Sequence, residues 1–153
     1  MAYANHFSEL DVYQLCRQLS KEIFELTKSF PKEEKFSLTD QIRRSSRSIG
    51  GQIAEAWAKQ KYEKHFISKL TDADGEQEET VHWLMTSLDC LYLTPEIGDN
   101  LISRYASVHR MLKSMMEKFR NNPPAEIIGS KVVRLLDYKT LQEKNLLTGE
   151  ASA

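Results

Sequence analysis

The chain has 153 residues, 41% hydrophobic and 28% charged, with 21 Lys and Arg set against 22 Asp and Glu. That length argues for one principal domain, able to bury roughly 68–70% of its unfolded surface, and the near-neutral charge excludes a protein that coats nucleic acid by bulk attraction. No window approaches the ~20 consecutive apolar residues of a membrane helix, and MAYANHFSELD lacks the basic-then-apolar pattern of a signal peptide.

Along the chain, apolar residues recur at steps of three and four. Val12, Leu15, Leu19, Ile23, Leu26 and Phe30 predict a first amphipathic helix, ended by Pro31 and capped by Ser8, with Asp11 in the capping-box position. Leu38, Ile42, Ser46, Ile49, Ile53 and Trp57 define a second, capped by Ser37 and crowded with Ser45, Ser48, Gly50, Gly51 and Ala54. Glycine inside a helix costs up to ~1 kcal/mol relative to alanine, so Gly50-Gly51 predicts a neighbouring backbone close by. Phe66, Leu70, Ala73, Gln77, Val81, Leu84, Leu88 and Leu91 predict a third helix from about Glu63 to Leu93. The fourth opens with Thr94 as cap, Pro95 in the first helical position and Glu96 at the positive dipole end. Its stripe is Ile97, Leu101, Tyr105, Val108, Leu112, Met115 and Phe119.

No segment alternates with period two, so no strand is expected. Short joints place sequential helices side by side. The expected architecture is therefore all-α, an antiparallel up-down four-helix bundle over residues 1–122. Residues 123–153 form a C-terminal extension, with a short helix expected near Val132 to Glu143.

Charge is segregated. Residues 32–69 hold nine basic and five acidic side chains, residues 70–99 none and eight, and residues 100–122 five and one. The third helix is an acidic rod between two basic ones. Arg43, Arg44 and Arg47 form the one cluster suited to nucleic acid, with Lys59, Lys61 and Lys64 leading towards Tyr62 and Phe66. The competing reading pairs these arginines with the third helix. An antiparallel turn near Tyr62 sets Arg47 opposite Gln77, and Arg43 and Arg44 opposite Val81 and Thr80, all flanked by Glu76 and Glu79. Arg47 is expected to meet Glu76 or Glu79, and Arg43 or Arg44 to meet Glu79. Pairing is the favoured of the two roles for the Arg43, Arg44, Arg47, Glu76 and Glu79 cluster.

Chemistry finds little support. Glu79 and His82 have the Glu-x-x-His spacing of di-iron bundles, but His6, His65 and His109 have no Glu three residues before them to supply the second pair. Asp72 to Glu76 resembles a calcium loop only briefly, since Gly75 and Trp83 occupy the wrong positions. Cys16 and Cys90 make neither a disulfide framework nor a metal spacing and are expected to pack as small hydrophobes. No glycine-rich phosphate loop is present. No enzyme activity, metal or cofactor is expected, and the location expected is cytoplasmic.

Several stretches together are more specific. Phe30-Pro31 with Glu34 and Phe36, then Leu38-Thr39-Asp40-Gln41-Ile42-Arg43-Arg44, Ser48-Ile49, Ile53-Ala54-Glu55 and an aromatic-led third helix from Phe66 resemble the bacterial 23S rRNA intervening-sequence proteins, over about Phe7 to Phe119. Gln52 and Ala56 stand where that family usually has Asn and Gly. The resemblance implies a four-helix bundle that assembles into a ring, a homopentamer, with no known enzymatic activity. A related branch serves diversity-generating retroelements as basic accessories that bind the reverse transcriptase and nucleic acid, whereas this chain has a pI near 6.4. The leading expectation is a non-enzymatic oligomeric scaffold, consistent with surplus small residues on the second helix and with Trp83 and Tyr92 lying off the main line of the third. The alternative is an RNA- or ribonucleoprotein-binding accessory using the basic second helix.

Overall fold

Four helices follow the four predicted stripes in chain order: α1 (Asp11–Thr27), α2 (Leu38–Ala58), α3 (Glu63–Asp89) and α4 (Pro95–Asn121). The computed structural model describes residues 4–121 and two short strands, β1 (Ala125–Ile128) and β2 (Lys131–Arg134). Residue pairs across each seam run in opposite chain directions. Ser45 meets Thr80 while Glu55 meets Lys69, and Asp74 meets His109 while Phe66 stacks on Phe119. Arg43 meets Thr27 across the first seam, and Glu22 meets Arg104 across the last. The bundle is thus the expected antiparallel one, and α2 against α3 is its most extensive contact.

The core is built from Leu19, Ile23, Ile42, Ile49, Ile53, Leu70, Leu84, Leu101, Tyr105 and Leu112, all under 2% exposed. In α3 the inner line departs from the predicted one. Phe66, Leu70, Ala73, Gln77, Thr80, Leu84 and Ser87 are buried, while Val81 and Leu88 are only half-buried. Those buried positions repeat strictly by four and three, the spacing of a bundle seam. The two hydroxyls are tolerated there because both donate within the helix, Thr80 to the Glu76 carbonyl and Ser87 to the Trp83 carbonyl, each at 2.8 Å.

The ends of the helices correct several expectations. Ser8 does not cap α1; it lies in a 3-10 turn over Phe7–Glu9, and Leu10 occupies the cap position without a side-chain bond. At α2, Ser37 stands at the cap, but its hydroxyl donates to Glu34 Oε2 at 2.6 Å, and the Leu38 N–H donates to that same oxygen at 3.0 Å. Glu34 therefore does the capping, and the Ser37 hydroxyl, the Leu38 N–H and the Tyr92 phenol hold its carboxyl below the usual carboxylate range. Thr94 does cap α4, accepting from the Ile97 N–H at 3.3 Å. Helix α3 stops four residues short of Leu93, because the chain turns left-handed at Leu91 (φ 60°), where the Tyr92 N–H reaches the Ser87 carbonyl and the Leu91 N–H the Leu88 carbonyl. Leu91 is 88% exposed there. Cys90 consequently lies exposed at the helix end instead of packing, while Cys16 is buried as expected.

Gly50 meets the Tyr13 ring and no backbone: a Cβ there would sit 3.4 Å from Tyr13 Cε2, and one on Gly51 would meet nothing within 4 Å. The tight glycine is Gly98, where a Cβ would lie 2.5 Å from Leu88 Cδ2, so its absence lets α4 close on α3. Beyond α4, β1 pairs antiparallel with β2, Ala125 opposite Arg134 and Ile128 opposite Lys131. This replaces the start of the helix expected near Val132 to Glu143; the rest of that segment lies outside the described residues.

Candidate functional site

The basic run of α2 divides between two neighbours. Arg44 turns to α3, where its guanidinium pairs with Glu79 and lies 3.6 Å from Glu76 Oε2. The same Glu79 oxygen, Oε1, also accepts from the Trp83 indole N–H at 3.2 Å. Glu76 Oε2 is buried and forms no hydrogen bond, so that longer ionic contact is what offsets its charge. The ionic contact expected between the basic cluster and the acidic rod is thus carried by Arg44. Glu79 and Trp83 also account for one of the two aromatics off the α3 stripe. The other, Tyr92, is half-buried, donates to Glu34 Oε1 at 3.3 Å and packs on Phe30 at 5.2 Å between ring centroids.

Arg43 and Arg47 go the other way, to α1, and neither meets Glu76 or Glu79. The Arg43 Nε–H donates to Thr27 Oγ1 at 2.8 Å, and its guanidinium lies 4.8 Å from the centroid of the Phe24 ring. Arg47 approaches that ring at 5.3 Å. Cations over an aromatic face are attracted by its quadrupole, by about 0.5–1 kcal/mol at exposed sites. Among the described residues, neither arginine reaches a carboxylate.

Beside them opens a groove of about 330 Å³ lined by Arg17, Ser20, Lys21, Phe24 and Arg47. Three cations, a hydroxyl and an aromatic face suit a phosphate or a carboxylate, and no acidic side chain lines the groove. The contribution of α1 was not foreseen from the sequence. Its signal was nevertheless present, since Arg17, Lys21 and Phe24 fall at steps of four and three and so share one helix face.

A second groove, of about 550 Å³, separates α1 from α4. Leu26, Ile97 and Leu101 make its floor, and Lys21, Glu22, Glu25 and Glu96 stand at its rim. Arg104 spans this seam and donates to Glu22 Oε1 at 2.8 Å, which holds the Glu22 carboxyl below its ordinary range. His82 is exposed, and among the described residues its ring makes no hydrogen bond; the Thr86 hydroxyl donates to its backbone carbonyl at 3.1 Å. Cys16 lies in the core, where loss of water pushes its thiol up to about 12.

Residues 8–114 match the family described as 23S rRNA-intervening sequence protein. Among solved structures, the chain is similar to a protein of unknown function from the S23 ribosomal protein family of Bacteroides thetaiotaomicron. The two share 31% identity and a TM-score of 0.63 over 69% of this chain and 95% of that one. No match was found among curated proteins. With the helices, their order and most of their length accounted for, the chain belongs to the 23S rRNA-intervening sequence protein family.

Proposed function

We propose that this protein is a non-catalytic helical bundle that associates with copies of itself, as a homopentamer by its family resemblance, to form a cytoplasmic interaction scaffold. The observation that carries this reading is the α1–α4 groove. Its floor is apolar, Ile97 is 38% exposed in it, and its rim carries both Lys21 and the carboxylates of Glu22, Glu25 and Glu96. A mixed-sign rim around an apolar floor can receive a different face of a neighbouring copy, the heterologous contact from which a ring closes. The α1–α4 contact is also the slightest of the four helix seams, so burying it further has the most to add.

A catalytic role is given no support by Cys16, whose thiol, at about 12, is protonated at neutral pH and closed off from solvent. No helix among the described residues is long and apolar enough to cross a membrane. Light scattering coupled to gel filtration tests the assembly. The wild type is expected well above 17.7 kDa, and Ile97→Glu is expected to move it towards that mass. A wild-type monomer at micromolar concentration overturns the reading.

One observation favours a second reading, an accessory that binds RNA or a ribonucleoprotein. Arg43 and Arg47 stand free of carboxylates beside Arg17 and Lys21, on a groove floored by Phe24. The basic surface then belongs to α1 and α2 jointly, with Arg44 withdrawn from it. Filter binding of single-stranded RNA over a salt series is the measurement that separates the two readings.

A further inference from the structure

On the α3–α4 seam, away from both grooves, Asp74 and Glu78 stand one turn apart on α3 and His109 faces them from α4. His109 Nδ1 lies 2.7 Å from Asp74 Oδ1, and one donor atom from each of the three residues lies within 4.8 Å of the other two. Asp74 and His109 are half-buried, and Glu78 closes the cluster at the solvent side.

A buried side chain holds the two carboxylates in place. Gln77 is 2% exposed, and its amide nitrogen donates to Asp74 Oδ1 at 3.2 Å and to Glu78 Oε1 at 3.1 Å. Such outer hydrogen bonds orient carboxylates that share a ligand.

We propose that Asp74, Glu78 and His109 bind one first-row divalent transition cation of the Zn²⁺ kind, as three protein donors with a fourth position open to solvent. One imidazole nitrogen with carboxylate oxygens suits such an ion, whereas Mg²⁺ and Ca²⁺ demand six or more oxygens. The two carboxylates balance the charge of the ion, and residues 70–99 contain eight acidic and no basic side chains to attract it. Because its donors come from two helices, the bound ion clamps α3 to α4 and stabilises the folded chain by mass action.

Isothermal titration of the full-length, metal-free protein with ZnCl₂ tests this, beside His109→Gln and Glu78→Gln. Glu78 is exposed, so its substitution leaves the fold intact, which far-ultraviolet circular dichroism verifies. The wild type should bind one Zn²⁺ per chain. Each variant should weaken that binding by about tenfold or more. The melting temperature of the wild type should rise by about 5–10 °C at a hundredfold excess over Kd, and Glu78→Gln should reduce the rise. Three results would overturn the proposal. The first is no saturable Zn²⁺ binding. The second is binding unchanged in both variants, which would place the ion on Cys90 or another histidine. The third is displacement of Zn²⁺ by an equal concentration of Mg²⁺, which would reduce the cluster to diffuse acidic attraction.

Discussion

The two flanks of α2 carry the same kind of side chain into different surroundings. On the α3 flank Arg44 is paired with Glu79 and Glu76, the Ser45 and Thr80 hydroxyls lie 2.9 Å apart, and Lys69 reaches back to Glu55 at 2.9 Å. On the α1 flank Arg43 and Arg47 find an aromatic ring, a threonine hydroxyl and more cations. The first flank is matched in charge and closely packed; the second keeps its charge and leaves a groove. Availability of an arginine is thus set by the helix it faces, and a count of positive residues on its own helix says nothing of it.

Packing gives the largest expected contrast between the flanks. Ser45 is fully buried against α3, so Ser45→Leu should overpack that contact and cost about 3 kcal/mol in a urea titration. Ser46 is as deeply buried, but it borders a hollow of about 110 Å³ lined also by Tyr13, Cys16 and Gly50. Ser46→Leu should therefore cost less, about 1 kcal/mol, since part of the added volume can be housed. The reverse order would put the looser packing on the wrong side of α2.

The clamp on the loose α1–α4 seam comes next. Arg104→Gln removes the bidentate partner of Glu22 and should cost about 1 kcal/mol at pH 7. The Arg104 hydrogen bond lowers the folded-state value of the Glu22 carboxyl, so this stabilisation is present above the unfolded value of about 4.3 and is lost as pH falls through the folded one. The two proteins should differ fully near neutrality and converge as pH falls through the lowered folded-state value. A gap that does not narrow at all in acid would mean that Arg104 acts through packing instead.

The exposed charges give the smallest effects and sharpen the comparison most. Arg44→Ala should cost under about 1 kcal/mol, as exposed pairs do, and leave RNA binding unchanged because Arg44 is already neutralised. Arg47→Glu should weaken whatever RNA binding exists. If the four cations of the α1 flank are the whole contact, the salt slope cannot exceed about 3, and each lost contact should reduce it by about 0.7. A steeper slope, or equal losses at Arg44 and Arg47, would show that the flanks do not differ as described.

Much of this was legible in the sequence, and the misses share one physical cause. Steps of three and four located every helix, because burying one face of a helix selects that period regardless of what it packs against. The Thr94-Pro95 start of α4 was readable because its cap is local in the chain. Glu34 as the cap of α2 was not, since the serine beside it matched the usual cap residue. The paired segments Ala125–Ile128 and Lys131–Arg134 were not legible, because Ala-Glu-Ile-Ile and Lys-Val-Val-Arg carry apolar doublets without the period-two alternation that marks a strand. Asp74, Glu78 and His109 were invisible for another reason: His109 comes from a different helix, and no spacing encodes that meeting.

By itself, then, the amino-acid order determined the four helices, their antiparallel order, the acidic character of α3 and the family. These follow from local periodicity, from the shortness of the joints and from residues near one another in the chain. Only the tertiary structure decided which arginine is neutralised, which of two aromatics answers which carboxylate, and where hydroxyls replace apolar side chains on the inner line of α3. Those outcomes turn on rotations of a helix about its own axis by less than a residue's spacing. A stripe of apolar residues tolerates such a rotation, but a hydrogen bond or an ion pair, which acts over about 3–4 Å, does not.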